Sequence, residues 1–167
     1  MVREAPRWPG WLALAAVLVA GAVRAATPLS PEETVRRYLG ALKDGRFAEA
    51  YDLVSKAMKR GKEREVWVKE QQTGMAFADV KIFEFDVRKG KVEGDAAYVP
   101  NVLSSQDRFI NQLGLTEHEL YTLVREDGAW KVDSQIIVAP ADIPKWFPHP
   151  APTEGKGDGK ADQPPSH

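Results

Sequence analysis

The sequence predicts an α+β domain: three N-terminal helices followed by a four-stranded antiparallel sheet. Apolar residues recur at helical spacing up to Gly74 and in β-rich alternating runs after it, and an Asp127-Gly128 step joins the last two of those runs. At 167 residues and 43% hydrophobic content the chain can bury one core, which argues for one domain with appendages.

The first 25 residues read as a signal peptide. Arg3 and Arg7 precede an uncharged apolar run at 11–23, and small residues around Ala25 suit a peptidase. A membrane-spanning helix needs about 20 apolar residues, so this run is short for a stable span. Export to a periplasmic or secreted location is therefore expected, with an uncleaved N-terminal anchor, Trp8 and Trp11 at the interface, as the alternative.

The folded domain is expected over residues 28–139. Ser30 can cap a helix with Pro31 at its first position and Glu33 closing a capping box. Val35, Tyr38, Leu39 and Leu42 then fall on one stripe, and Gly45 is the expected stop. A second helix carries Phe47, Ala50, Tyr51, Val54 and Met58 as its stripe. A third, over 63–72 with Val66 and Trp67, is expected to close at Gly74.

Ile82, Phe83, Phe85 and Val87 make a strand with Glu84, Asp86 and Arg88 interleaved, and 89–91 a turn. Residues 92–103 read as one strand, and Pro100, lacking an N–H, places it at an edge or at a bulge. Residues 104–116 are expected to form a connector with a short helix capped by Ser104 or Ser105; a flap over a pocket is the alternative. Residues 119–126 and 129–138 form a hairpin about Asp127-Gly128, with Trp130, Val132 and Ile136 on one face. From 140 to 167 the composition turns to Pro, Gly, Lys and Asp and predicts a disordered tail, with Trp146 and Phe147 able to pack back before it begins.

The chain has no cysteine, which excludes disulfides, thiolate nucleophiles, iron–sulfur clusters and a lipidated N-terminal cysteine. Its formal net charge is −1, near −3 once Arg3, Arg7, Arg24 and Glu4 are removed, and it offers nothing to a phosphate backbone. Lys56, Lys59, Arg60, Lys62 and Arg64 form a short basic run, either a solvated loop or a contact for an anionic envelope surface. No metal-ligand spacing is present, and no cofactor is implied.

Several local strings together resemble the nuclear transport factor 2-like superfamily. They are Pro31-Glu32-Glu33-Thr34-Val35 with Tyr38 and Leu42, then Gly45-Arg46-Phe47-Ala48-Glu49-Ala50-Tyr51, then Gly94-Asp95-Ala96-Ala97-Tyr98-Val99 and Glu126-Asp127-Gly128-Ala129-Trp130-Lys131-Val132. The resemblance covers about 31–138 and is strongest to the exported bacterial branch of uncharacterised domains. It implies helices packed on a curved antiparallel sheet around a concave cavity, in a superfamily that includes ketosteroid isomerase and scytalone dehydratase beside many binding domains. Fold alone does not give function.

The aromatic residues Tyr38, Tyr51, Trp67, Phe77, Phe85 and Trp130 could line such a cavity or fill the core. Asp86 and His118 are the acid/base candidates. Glu84 shares a strand face with Asp86, and Tyr98 or Tyr121 could donate to an oxyanion. Surface placement is the simpler reading of both candidates, and no catalytic constellation aligns. The expected function is an exported, non-catalytic domain that binds a small apolar ligand or an envelope protein, the open sheet face being available for pairing with a second copy. The alternative is an isomerase or dehydratase that uses Asp86 or His118 as base.

Overall fold

The computed structural model describes residues 28–148; the expected signal peptide, its cleavage site, Trp8, Trp11 and residues 149–167 lie outside them. Four helices come first: α1 (Pro31–Lys43), α2 (Phe47–Leu53), α3 (Lys56–Lys59) and α4 (Arg64–Ala78). Five strands follow: β1 (Lys81–Val87), β2 (Lys91–Glu93), β3 (Ala96–Gln106), β4 (Thr116–Glu126) and β5 (Ala129–Ile137). The sheet is antiparallel in the order β1-β3-β4-β5, with β2 pairing β3 beside β1.

Helix α1 starts as its sequence dictates. The Ser30 hydroxyl accepts from the Glu33 N–H at 3.1 Å, an interaction that contributes about 1 kcal/mol. Its buried stripe of Val35, Tyr38 and Leu39 faces Val99, Tyr121, Leu123, Trp130 and Val132 of the sheet, and this contact is the core.

The expected second helix is broken in two. Val54 is extended and bridges Val132, and the Ser55 N–H donates to the Val132 carbonyl at 2.8 Å. Ser55 then restarts the helix by accepting from the Met58 N–H at 3.0 Å, while its hydroxyl donates to Asp133 at 2.6 Å. Pairing with the sheet thus overrides the helical period. Conversely, Gly74 does not end α4, which continues to a left-handed Asp79; a lone glycine costs a helix only about 1 kcal/mol.

Residues 92–103 are not one strand. Gly94 and Asp95 turn β2 into β3, so the sheet has five strands where four were expected. Nor is Pro100 at an edge, because β3 is flanked on both sides. Its carbonyl accepts from the Arg88 N–H at 2.9 Å, so its ring nitrogen faces the same side, at the gap between β1 and β2 where no ladder bond is required.

The connector at 104–116 forms no helix. Ser104 and Ser105 extend β3, and the loop is braced by side chains. Asp107 accepts from the N–H groups of Phe109, Ile110 and Asn111, and Asn111 donates to the carbonyls of Ser105 and Leu115. The Asp127-Gly128 hairpin is as expected, both residues having positive φ.

Asp133 is an extra residue in β5: Val132 pairs Leu123, and Ser134 pairs Thr122. The bulge reverses the alternation beyond it, so Ile136 leaves the face of Trp130 and Val132, where it was expected, and lies exposed on the other. Past the boundary expected at 139 the chain turns helical instead of entering a tail, as a 3-10 turn (Pro140–Asp142) and α5 (Ile143–Trp146). There Trp146 packs on Tyr98 and Phe147 edge-on against His118, with ring centroids 5.9 and 4.6 Å apart.

Candidate functional site

The helices cover one face of the sheet, termed inner, and the C-terminal segment lies on the outer face. The sequence-predicted residues divide between them. Tyr38, Trp67 and Trp130 are core residues, and Phe85 packs partly buried against them. Tyr51 meets Trp67 edge-on at 5.7 Å and carries Lys59 over its ring at 4.4 Å. Phe77 is 68% exposed at the end of α4 and touches Phe109 of the 107–115 loop. These six aromatics do not converge on one pocket. The loop itself borders a small polar cleft with Asp79 and Lys81.

The basic run is largely neutralised from within: Lys56 pairs with Asp127, Lys62 with Glu70 and Arg64 with Asp52.

Asp86 and His118 both lie on the outer face, in one cross-strand row with Val102 between them. Two strand spacings, about 10 Å, separate them, so they cannot act on one proton. Asp86 is exposed and pairs with Arg88 at 2.7 Å. His118 is half-buried, under Phe147. Tyr98 is also on the outer face, whereas Tyr121 is on the inner one.

The sequence reading missed Glu119. This residue is 1% exposed on the inner face and accepts from Asn101 Nδ2 at 2.8 Å, from the Tyr121 hydroxyl at 3.1 Å and from Gln135 Nε2. The bulge at Asp133 is what turns Gln135 inward to reach it. Burial raises the Glu119 carboxyl above its ordinary value; the three hydrogen bonds oppose that rise, and the charge of Glu117 adds to it. Burial followed by the Glu119 charge pushes Tyr38 up to about 12, and Tyr121 moves in the same direction for the same reasons. Among the described residues Asn101 Oδ1 is buried without a partner, an unmet acceptor beside the carboxyl. Gln135 also borders a cleft of about 360 Å³ with Ala57, Met58, Arg60, Asp133 and Ser134, and so links Glu119 to the surface.

The outer face holds a second, more apolar cleft of about 420 Å³. Val102 and His118 form its floor, Ile143, Trp146, Phe147 and Pro148 one wall, and Arg88 and Lys89 the opposite rim. Its volume is that of a small-ligand site. Among the described residues no cluster of side chains is arranged to hold a metal ion.

No family model and no curated protein matches the chain. In structure it is similar to a SEC-C motif containing protein from Rhodopseudomonas palustris, with a TM-score of 0.51 and 16% identity over 66% of this chain and 80% of that one. At that identity the likeness speaks for the fold alone. Two NTF2-like proteins from Cytophaga hutchinsonii overlap less well, with TM-scores of 0.41 and 0.43, identities of 15% and 14%, and coverage of 68% and 64% of this chain and 94% and 92% of theirs. With its helices leading into one antiparallel sheet, the chain has the α+β architecture expected from its resemblance to the nuclear transport factor 2-like superfamily.

Proposed function

We propose that the chain is an exported, non-catalytic binding domain that holds a small apolar ligand in the cleft on the outer face of its sheet. The supporting observation is the contrast in packing. The inner face, where the resemblance implies a cavity, is filled by Tyr38, Leu39, Tyr121, Leu123 and Trp130, each at most 7% exposed, while the outer face keeps an open cleft walled by Trp146 and Phe147. Apolar walls with a few polar groups at the rim are the usual makeup of a ligand site. Export rests on the basic-then-apolar pattern of residues 3–23.

Native mass spectrometry of the chain, isolated from the exported fraction without detergent, tests this. A bound small molecule that is lost in Trp146→Ala and kept in Trp67→Ala is the expected result. A ligand lost only in Trp67→Ala would refute the outer-face assignment, and recovery solely from the cytoplasm would refute export.

One observation favours a second reading. A buried carboxyl held by a tyrosine is the arrangement expected of an isomerase or dehydratase of the ketosteroid isomerase kind, with Glu119 in place of Asp86 or His118. That reading requires Glu119→Gln to abolish turnover of whatever ligand co-purifies; the binding reading requires no turnover in either form.

A further inference from the structure

Resting on the outer-face cleft being a ligand site, we propose that its ligand is an apolar anion, a carboxylate with an aliphatic tail. The tail would lie between Val102, Ile143, Trp146 and Phe147, and the head at the rim made by Arg88 and Lys89. Charge around the cleft favours this. Arg88, Lys89 and Lys145 are the cations, Lys145 lying 5.0 Å from the Trp146 ring centroid, and His118 adds polar nitrogens on the floor. Of the carboxylates on the same face, Asp86 engages Arg88 at 2.7 Å, Glu93 pairs with Lys91, and neither these nor Glu84 lines the cleft. Lys89 has no ion pair among the described residues, although its side chain is exposed. It is the cation an incoming carboxylate meets first.

The rim is also fixed in place. The Arg88 N–H donates to the Pro100 carbonyl at 2.9 Å, and the Gly90 N–H donates to Glu32 at 3.0 Å. Gly90 packs so closely on β3 that an added Cβ would stand 2.8 Å from the Tyr98 carbonyl oxygen and 2.9 Å from Val99. The two cations are thus carried by a turn clamped to the sheet. A rim ordered before binding loses less freedom on capture than a flexible one.

The experiment titrates the full chain with dodecanoate and, separately, with dodecan-1-ol, which shares the tail and lacks the charge. Binding is read by tryptophan fluorescence and checked by calorimetry, with far-UV circular dichroism to confirm folding of each variant. Dodecanoate is expected to bind at least about tenfold tighter than the alcohol, about 1.4 kcal/mol. Lys89→Gln, on an exposed side chain, is expected to remove most of that difference and leave alcohol binding unchanged; Trp146→Ala is expected to weaken both. Equal affinity for the two probes would overturn the anion assignment and leave the apolar cleft standing. Binding of neither, with Trp146 accessible to acrylamide quenching, would overturn the cleft as a ligand site and the present proposal with it. A dimer that shields Trp146 from quenching would overturn both in favour of a contact between copies.

Discussion

His118 and Glu119 are consecutive residues of β4, and they face opposite environments. On the inner side Glu119 is enclosed with Asn101, Tyr121 and Gln135 under α1, its carboxyl raised by burial. On the outer side His118 lies at the floor of an open cleft beneath Phe147. The inner face spends its polar groups on one another, whereas the outer face leaves its cations at a rim. Thus a buried ionisable group need not mark the place where a ligand arrives; the open side has the room for one.

Substitutions can break that contrast. Trp130→Ala on the inner face should cost about 3–5 kcal/mol in a urea melt. Trp146→Ala should cost less than half as much, and comparable losses would mean that the C-terminal segment belongs to the core. Glu119→Ala should lose about 1–3 kcal/mol, because Asn101 and Tyr121 would each be left with a buried, unmet group.

Glu119→Gln sharpens the comparison through pH. The carboxyl is raised in the folded chain, so that state keeps the proton to higher pH than the unfolded one. The stability it contributes is present below the ordinary carboxylate value of 4.5 and is lost as pH rises through the folded value. The gap in stability between wild type and Glu119→Gln should therefore shift in favour of the variant from pH 4.5 towards 7. Using the gap sets aside Glu32, whose carboxyl is lowered by hydrogen bonds, chiefly from the Gly90 N–H, against the cost of its own burial and so works in the opposite direction. A gap independent of pH would mean that Glu119 titrates as a solvent-exposed group. The smallest effect expected is for Ser55→Ala, about 1 kcal/mol from the lost α3 cap, without change in ligand binding.

What could be read from the sequence was mostly local. The Ser30-Pro31 helix start and the Asp127-Gly128 hairpin depend on a few neighbouring residues, and both stand in the structure. The break at Val54 could not be read, because it depends on a bridge to Val132 far along the chain. Gly74 was misread as a stop because its conformation follows the helix on either side. Glu119 had a signal that passed unused: at a period of two it shares a face with Tyr121 and Leu123, so an acidic side chain was written into an apolar row. The outer-face cleft was legible only as Trp146 and Phe147 packing back, since its floor comes from β3 and β4.

The bulge at Asp133 acts as a parity switch for the end of β5. One extra residue, tied to α3 through the Ser55 hydroxyl, turns Gln135 towards Glu119 and Ile136 away from it. Deleting Asp133 would remove the bulge and leave the faces beyond it unchanged, because Ser134 and Gln135 would still pair Thr122 and Tyr121, but the Ser55 hydroxyl would lose its acceptor. Flattening the bulge without shortening the chain would do the reverse, turning Gln135 outward and an isoleucine in against a buried acid, and so exchange the surfaces that the last strand offers to the core and to solvent.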